Sequence, residues 1–146
     1  MNRLFLLDVN VLIAMAWPTH EAHEKVQNWL ARHAGEGWAT CPHTECAFVR
    51  ILSNPAFSPN ALTPADALAL LRANLGHPDH QFWEEDVSFA GVIAPLRQRV
   101  VGHRQVSDAY LLGLAIHKKG RLATLDRAVL ALLPERSLER DRIVLV

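Results

Sequence analysis

Short apolar runs alternate along this chain with longer stretches of helical spacing, and few folds accommodate that order. "RLFLL" at 3–7, "GWATC" at 37–41, "RLATL" at 121–125 and "RIVLV" at 142–146 have the length and composition of buried strands. "QFWEED" at 81–86 is a further strand candidate, although its acids crowd one end. The intervening segments read as helices. One covers 11–17 and stops at Pro18, and an amphipathic one covers 20–33, with Val26, Trp29 and Leu30 inward and Gly35 ending it. Pro42 suits a first helical position, so a helix runs from there to Ser53, closed by Asn54-Pro55. Thr63 is the expected N-cap of a helix that begins at Pro64 and stops at Gly76. A short helix over 93–101 and a strongly apolar one over 107–119, closed by Gly120, complete the set. Strands separated by helices imply a parallel sheet covered on both faces. The expected architecture is an α/β, three-layer α/β/α fold, with residues 1–146 as one domain.

Composition removes several classes of function. No apolar run reaches the length of a membrane helix, and Asp8 interrupts the short apolar stretch behind Arg3, which argues against a signal peptide. A cytoplasmic protein with no membrane partner is expected. The two cysteines, Cys41 and Cys46, cannot build a disulfide framework and match no common zinc spacing, so they read as thiols. In "THEAHE", His20 and His23 lie three apart, whereas an H-E-x-x-H zinc helix needs four. That stretch reads instead as the charged first turn of the 20–33 helix. Basic and acidic residues balance at 15 each, so net charge does not argue for nucleic acid. Local basic excess flanks the 107–119 helix, in "RQRVVGHR" and "HKKGR".

The acids carry the chemistry. In open parallel sheets, ligands bind beyond the carboxyl ends of the strands. Asp8 directly follows one strand and Asp126 another, so both belong at that edge. On the helix that starts at Pro42, Glu45 shares a face with Phe48, Val49 and Leu52; on the 107–119 helix, Asp108 shares one with Leu111, Leu112 and Ala115. Each of these acids alone has an ordinary structural use, as a cap or a partner of the helix dipole. Four together repel one another, and a divalent cation removes that conflict. Oxygen donors without cysteine or histidine suit Mg²⁺ or Mn²⁺. Asn10 and Thr124, each two residues from a strand-end acid, are placed to orient the ligands. A carboxylate-held ion of this kind suits phosphodiester hydrolysis. A phosphatase of the haloacid-dehalogenase type is the rival enzyme, but it wants D-x-D where this chain has Asp8-Val9-Asn10. The rival outside catalysis is a silent binding or regulatory module.

"LLDVNVLIA", "TECAFVRILSNP", "VSDAYLLGLA" and "ATLDRAV" together resemble the four motifs of the PIN-domain ribonucleases, and more narrowly of the VapC-type toxins of toxin–antitoxin systems. The likeness covers nearly the whole chain. It implies a Rossmann-like sheet of order 3-2-1-4-5 and a catalytic metal site of Asp8, Glu45, Asp108 and Asp126, with Asp126 the most variable in role. It also implies Mg²⁺-dependent cleavage of a structured RNA, such as a tRNA or ribosomal loop, that halts translation. The partners it implies are the RNA substrate, a VapB-type antitoxin whose tail enters the acidic groove, and a second copy in a homodimer. On this view Arg97, Arg99 and Arg104 become candidate RNA-phosphate contacts beside the acids.

Overall fold

The structure, a computed structural model, describes residues 3–33 and 35–146. Five strands, β1 (Phe5–Leu7), β2 (Trp38–Thr40), β3 (His80–Phe82), β4 (Arg121–Thr124) and β5 (Ile143–Leu145), form one sheet of order β3-β2-β1-β4-β5. Every neighbouring pair is parallel. Phe5 stands between Trp38 and Arg121, and Leu7 faces Ala123, so β1 and β4 end level with each other.

Because successive side chains of a strand point to opposite faces, β1 feeds two cores. Phe5 and Leu7 join Trp38 and Ala123 beneath α1 (Val9–Ala16), α2 (His23–Arg32), α3 (Pro42–Leu52) and α4 (Pro64–Leu75). Leu4 and Leu6 join Ala39 and Leu122 on the other face, against α5 (Phe89–Ile93) and α6 (Val106–His117). The sheet is therefore the middle of three layers, as the alternation of elements predicts. Among the described residues no helix is long and apolar enough to cross a membrane.

Several boundaries differ from the sequence expectation. Helix α1 begins at Val9 and not at residue 11, because the Asp8 carboxylate accepts the Val9 N–H at 2.7 Å and caps it there. Helix α2 begins at His23 and not at residue 20. The His20 ring accepts the Ala22 N–H at 3.0 Å in a turn, and the His23 ring bonds the Ala14 carbonyl at 2.7 Å, so His23 ties α2 to α1. Of the expected inner face of α2, Val26 and Trp29 are buried and Leu30 is partly so. Strand β3 covers only residues 80–82, where 81–86 was expected. The Trp83 N–H still reaches Thr40 O at 2.8 Å, but beyond it the chain leaves the sheet. The expected helix over 93–101 is instead the end of α5 and a 3₁₀ turn, Ala94–Arg99, with Pro95 unable to supply an α-helical N–H.

Two glycines are fixed by close approach. Lys119, not Gly120, takes the left-handed backbone after α6, with φ 59°. A Cβ on Gly120 would lie 2.5 Å from the Trp83 ring and 3.0 Å from Leu4 O, so a side chain there has no room. Gly113 on α6 lies against α5, where a Cβ would meet Val92 Cγ1 at 2.3 Å and Val92 O at 2.6 Å. Backbone cannot rotate away as a side chain can, so Gly113→Ala is expected to cost about 1–3 kcal/mol by forcing α5 outward. Urea melts of the two proteins measure it, and coincident midpoints would refute so tight a contact.

Candidate metal centre

Strand β1 runs without interruption into Asp8, whose main-chain N–H continues the ladder by donating to Ala123 O at 2.9 Å. That last rung points the carboxylate at the end of β4 and leaves it only 4% exposed. One oxygen accepts from Val9 N, as described above, and the other accepts from Thr124 Oγ1 at 2.8 Å. Thr124, fully buried at the end of β4, also accepts from Asn10 Nδ2 at 3.3 Å and from Asp126 N at 3.1 Å. Its hydroxyl proton and both lone pairs are thus engaged. Asn10 closes the ring by accepting the Leu125 N–H at 3.2 Å. These bonds tie Thr124 directly to Asp8 and to the start of the Asp126 turn, and tie Asn10 to Thr124 and Leu125.

Asp126 itself is exposed and accepts the Ala128 N–H at 2.9 Å, capping the 3₁₀ turn Arg127–Leu132. Asp108 lies half-buried in the first turn of α6. Burial, then the charge of Asp8, then that of Asp126 push its carboxyl up to about 6. The Asp8 carboxyl is also raised, chiefly by burial and further by Asp126, against the lowering effect of its bonds from Thr124 and Val9. Asp8, Asp108 and Asp126 therefore share one field at one edge of the sheet.

Glu45 is engaged elsewhere. Its Oε2 accepts from Thr40 Oγ1 at 2.8 Å, and Thr40 Oγ1 lies 2.8 Å from His80 Nε2. Since the one hydroxyl proton of Thr40 goes to Glu45, the histidine nitrogen is the donor in the second bond. Burial holds His80 below its usual range, against the pull of Glu45, so the ring is neutral at pH 7. Among the described residues, no three His, Cys, Asp or Glu side chains converge into a ready-made metal cage. The donor chemistry nevertheless suits a hard cation: the three aspartates offer only oxygen, and their mutual repulsion is what a divalent ion would relieve. Cys41 is buried and Cys46 exposed, both as free thiols.

The PIN domain family model matches residues 5–132, a span that contains all four acids. The chain belongs to the PIN-domain family. Its similarity falls on the VapC branch. It is 44% identical to Ribonuclease VapC38 of Mycobacterium tuberculosis (strain ATCC 25618 / H37Rv) over 131 residues, 90% of this chain and 91% of that protein. It is 38% identical to Ribonuclease VapC44 of the same organism (strain CDC 1551 / Oshkosh) over 124 residues, 85% of this chain and 87% of that protein. Among solved structures, VapBC2 from Rickettsia felis, bound to a DNA fragment from its promoter, has a similar fold. Its TM-score is 0.64 at 12% identity, covering 98% of this chain and 97% of that one. This VapC-type PIN domain thus has the sheet order that the resemblance implied.

The candidate phosphate contacts in this PIN domain are all exposed. Arg97 and Arg99 donate to nearby carbonyls, of Ala94 at 2.6 Å and Ala131 at 3.4 Å, while Arg104 sits in the turn His103–Gln105 that leads into α6. Sequence reasoning missed Thr40 and His80. The strand-end rule that found Asp8 and Asp126 reaches Thr40 as well, since it ends β2. No local signal marks His80, which meets Thr40 only through the pairing of β2 with β3.

Proposed function

We propose that this chain is a divalent-metal-dependent endoribonuclease that cuts a structured RNA, in a tRNA or ribosomal loop, and thereby stops translation. The observation that carries the reading is the placement of Asp8 and Asp126 just after the adjacent parallel strands β1 and β4, with Asp108 in the first turn of α6. Asp8 would be the fixed ligand, because the Val9 and Thr124 bonds leave it no other orientation. Asp108 and Asp126 are the more solvent-accessible acids and would complete the ligand set, and Glu45 would have to leave its bond from Thr40 to join them. Mg²⁺ or Mn²⁺, when bound, would activate water and neutralise charge on the phosphoryl group. Asn10 and Thr124 hold Asp8 and the start of the Asp126 turn in register throughout. The bond from the Leu125 N–H to Asn10 Oδ1 also uses the position at which a D-x-D phosphatase would carry its second acid.

A VapB-type antitoxin is proposed to hold the enzyme inactive; the R. felis VapBC2 similarity and the VapC relatives support that partner. A homodimer is part of the same proposal. In-line attack by water on the phosphorus, with departure of the 3′ oxygen, leaves a 5′ phosphate on the downstream fragment. The test incubates purified chain with total RNA in Mg²⁺ and in EDTA and maps new 5′ ends. Discrete, metal-dependent ends bearing phosphate are expected; a 2′,3′-cyclic phosphate on the upstream fragment, or equal cutting in EDTA, would overturn the mechanism.

The arginines give a separate prediction. Each of Arg97→Ala, Arg99→Ala and Arg104→Ala is expected to weaken RNA binding and to reduce the salt slope by about one phosphate contact. Fluorescence polarisation across a salt series reads both quantities. Unchanged affinity and slope in all three variants would assign these side chains to solvent.

A further inference from the structure

Beside the carboxylates lies an aromatic pocket that the cleavage chemistry leaves unused. Its cavity of ≈ 240 Å³ is lined by His43, Glu85, Phe89, Val106, Ser107 and Tyr110, among others. Tyr110, on α6, forms its buried wall. The Phe89 ring stacks on Tyr110 at 5.7 Å between centroids and 18° between planes, and the His43 ring lies 5.5 Å from the same tyrosine. Phe89 nonetheless remains 52% exposed, and Val106 38%, so both keep apolar surface open to solvent. The pocket adjoins the acids on two sides. Ser107 precedes Asp108 in the first turn of α6, and His43 is near enough for its charge to act on Asp8.

The polar wall of the pocket accepts and does not attract anions. Glu85 Oε1 accepts the His43 N–H at 2.7 Å, which holds that carboxylate over the N-terminus of α3. No lysine or arginine lines the cavity. A phosphate would be repelled there, whereas a flat neutral ring with N–H donors along one edge suits both the aromatic face and the carboxylate. Unpaired bases of RNA loops are recognised in this way, by stacking on aromatic side chains and by bonds to their edges.

We propose that this pocket holds the nucleobase next to the scissile phosphate, stacked on Phe89, with Glu85 accepting from its N–H edge. The inference rests on the ribonuclease reading and gives it a source of sequence preference. Guanine fits best, because its N1–H and N2–H lie side by side for the carboxylate lone pairs that the His43 N–H and the Tyr110 hydroxyl leave open, whereas uracil offers a single N–H. Phe89 supplies affinity and Glu85 selects the base.

The probe is a fluorescein-labelled, single-stranded 12-mer RNA of random sequence, titrated in EDTA so that binding is read without cleavage. Phe89→Ala is expected to raise Kd about 5- to 100-fold, the range of base–aromatic stacking. Phe89→Trp is expected to restore affinity, and Phe89→Leu, apolar but without a π-face, to resemble Ala. Urea midpoints of all three variants control for folding. Cleavage of total RNA in Mg²⁺, with sequencing of the new ends, should show guanine at one position beside the cut, and cutting at those sites lost or moved in Glu85→Gln. Equal Kd for wild type, Ala and Trp, or no RNA binding by the wild type, overturns the pocket. If Kd depends on Phe89 as described and total RNA is never cut in Mg²⁺, the pocket stands and the ribonuclease reading fails.

Discussion

Asp8→Asn is expected to lower RNA cleavage about 10³-fold or more while leaving the fold nearly as stable as before. The activity loss follows from the placement of Asp8, the most rigid and most buried of the acids. Removing its charge removes the fixed corner of the ion site, and a bound metal is worth several kcal/mol of transition-state stabilisation. About 4 kcal/mol corresponds to roughly 10³ in rate. Stability changes little because two effects oppose. Asparagine relieves the burial of a charge, but only one side of its amide accepts. Val9 N–H and Thr124 O–H both need an acceptor, and Thr124 is already accepting from Asn10 and Asp126. One bond is lost, at about 1 kcal/mol. Asp8→Ala is the poorer test, since it strands both donors and removes the α1 cap. Cleavage rates and urea midpoints measured on the same preparations decide the matter. Cleavage within tenfold of wild type would remove Asp8 from the catalytic set.

Asp108→Asn is expected to lose cleavage on a similar scale and, unlike Asp8→Asn, to make the metal-free protein more stable. No hydrogen bond contributes to the Asp108 pKa, so the carboxylate meets only burial and two like charges. The sign follows from linkage. The folded carboxyl is raised from 3.8 to about 6, so between those values the native state keeps a proton that the unfolded chain has released. The stability this provides is fully present below about 4 and is lost as pH rises through about 6. Solvent screening of this half-exposed group leaves on the order of 1 kcal/mol. In EDTA, the wild-type urea midpoint should fall between pH 4 and pH 6, and that part of the fall should be missing in Asp108→Asn. At pH 7 the variant should be the more stable. Added Mg²⁺ should then raise the wild-type midpoint and move the variant much less. A variant less stable than wild type in EDTA would mean that the Asp108 charge is compensated within the protein.

Much of this was legible in order and composition. Strand-length runs ending in Asp8 and Asp126 placed two carboxylates at one sheet edge, because a parallel sheet aligns the carboxyl ends of its strands. Helical spacing put Asp108 half-way into the apolar face of α6. Element boundaries were less legible where side chains compete for the backbone. Asp8 pulled the start of α1 back to Val9, and His20 delayed the start of α2.

The amino-acid sequence by itself determined the alternation of strand and helix, the parallel sheet, the acids at its carboxyl edge and the membership of the PIN family. These properties depend on local periodicity and on motif order, both of which are local in the chain. Only the tertiary structure decided how each acid is held. The bond from Thr124 to Asp8 spans 116 positions, and His80 reaches Thr40 across 40. The stacking of Phe89 on Tyr110 depends on α5 lying against α6 at Gly113. Such contacts form when packing brings distant segments together, and no short window of sequence contains both partners.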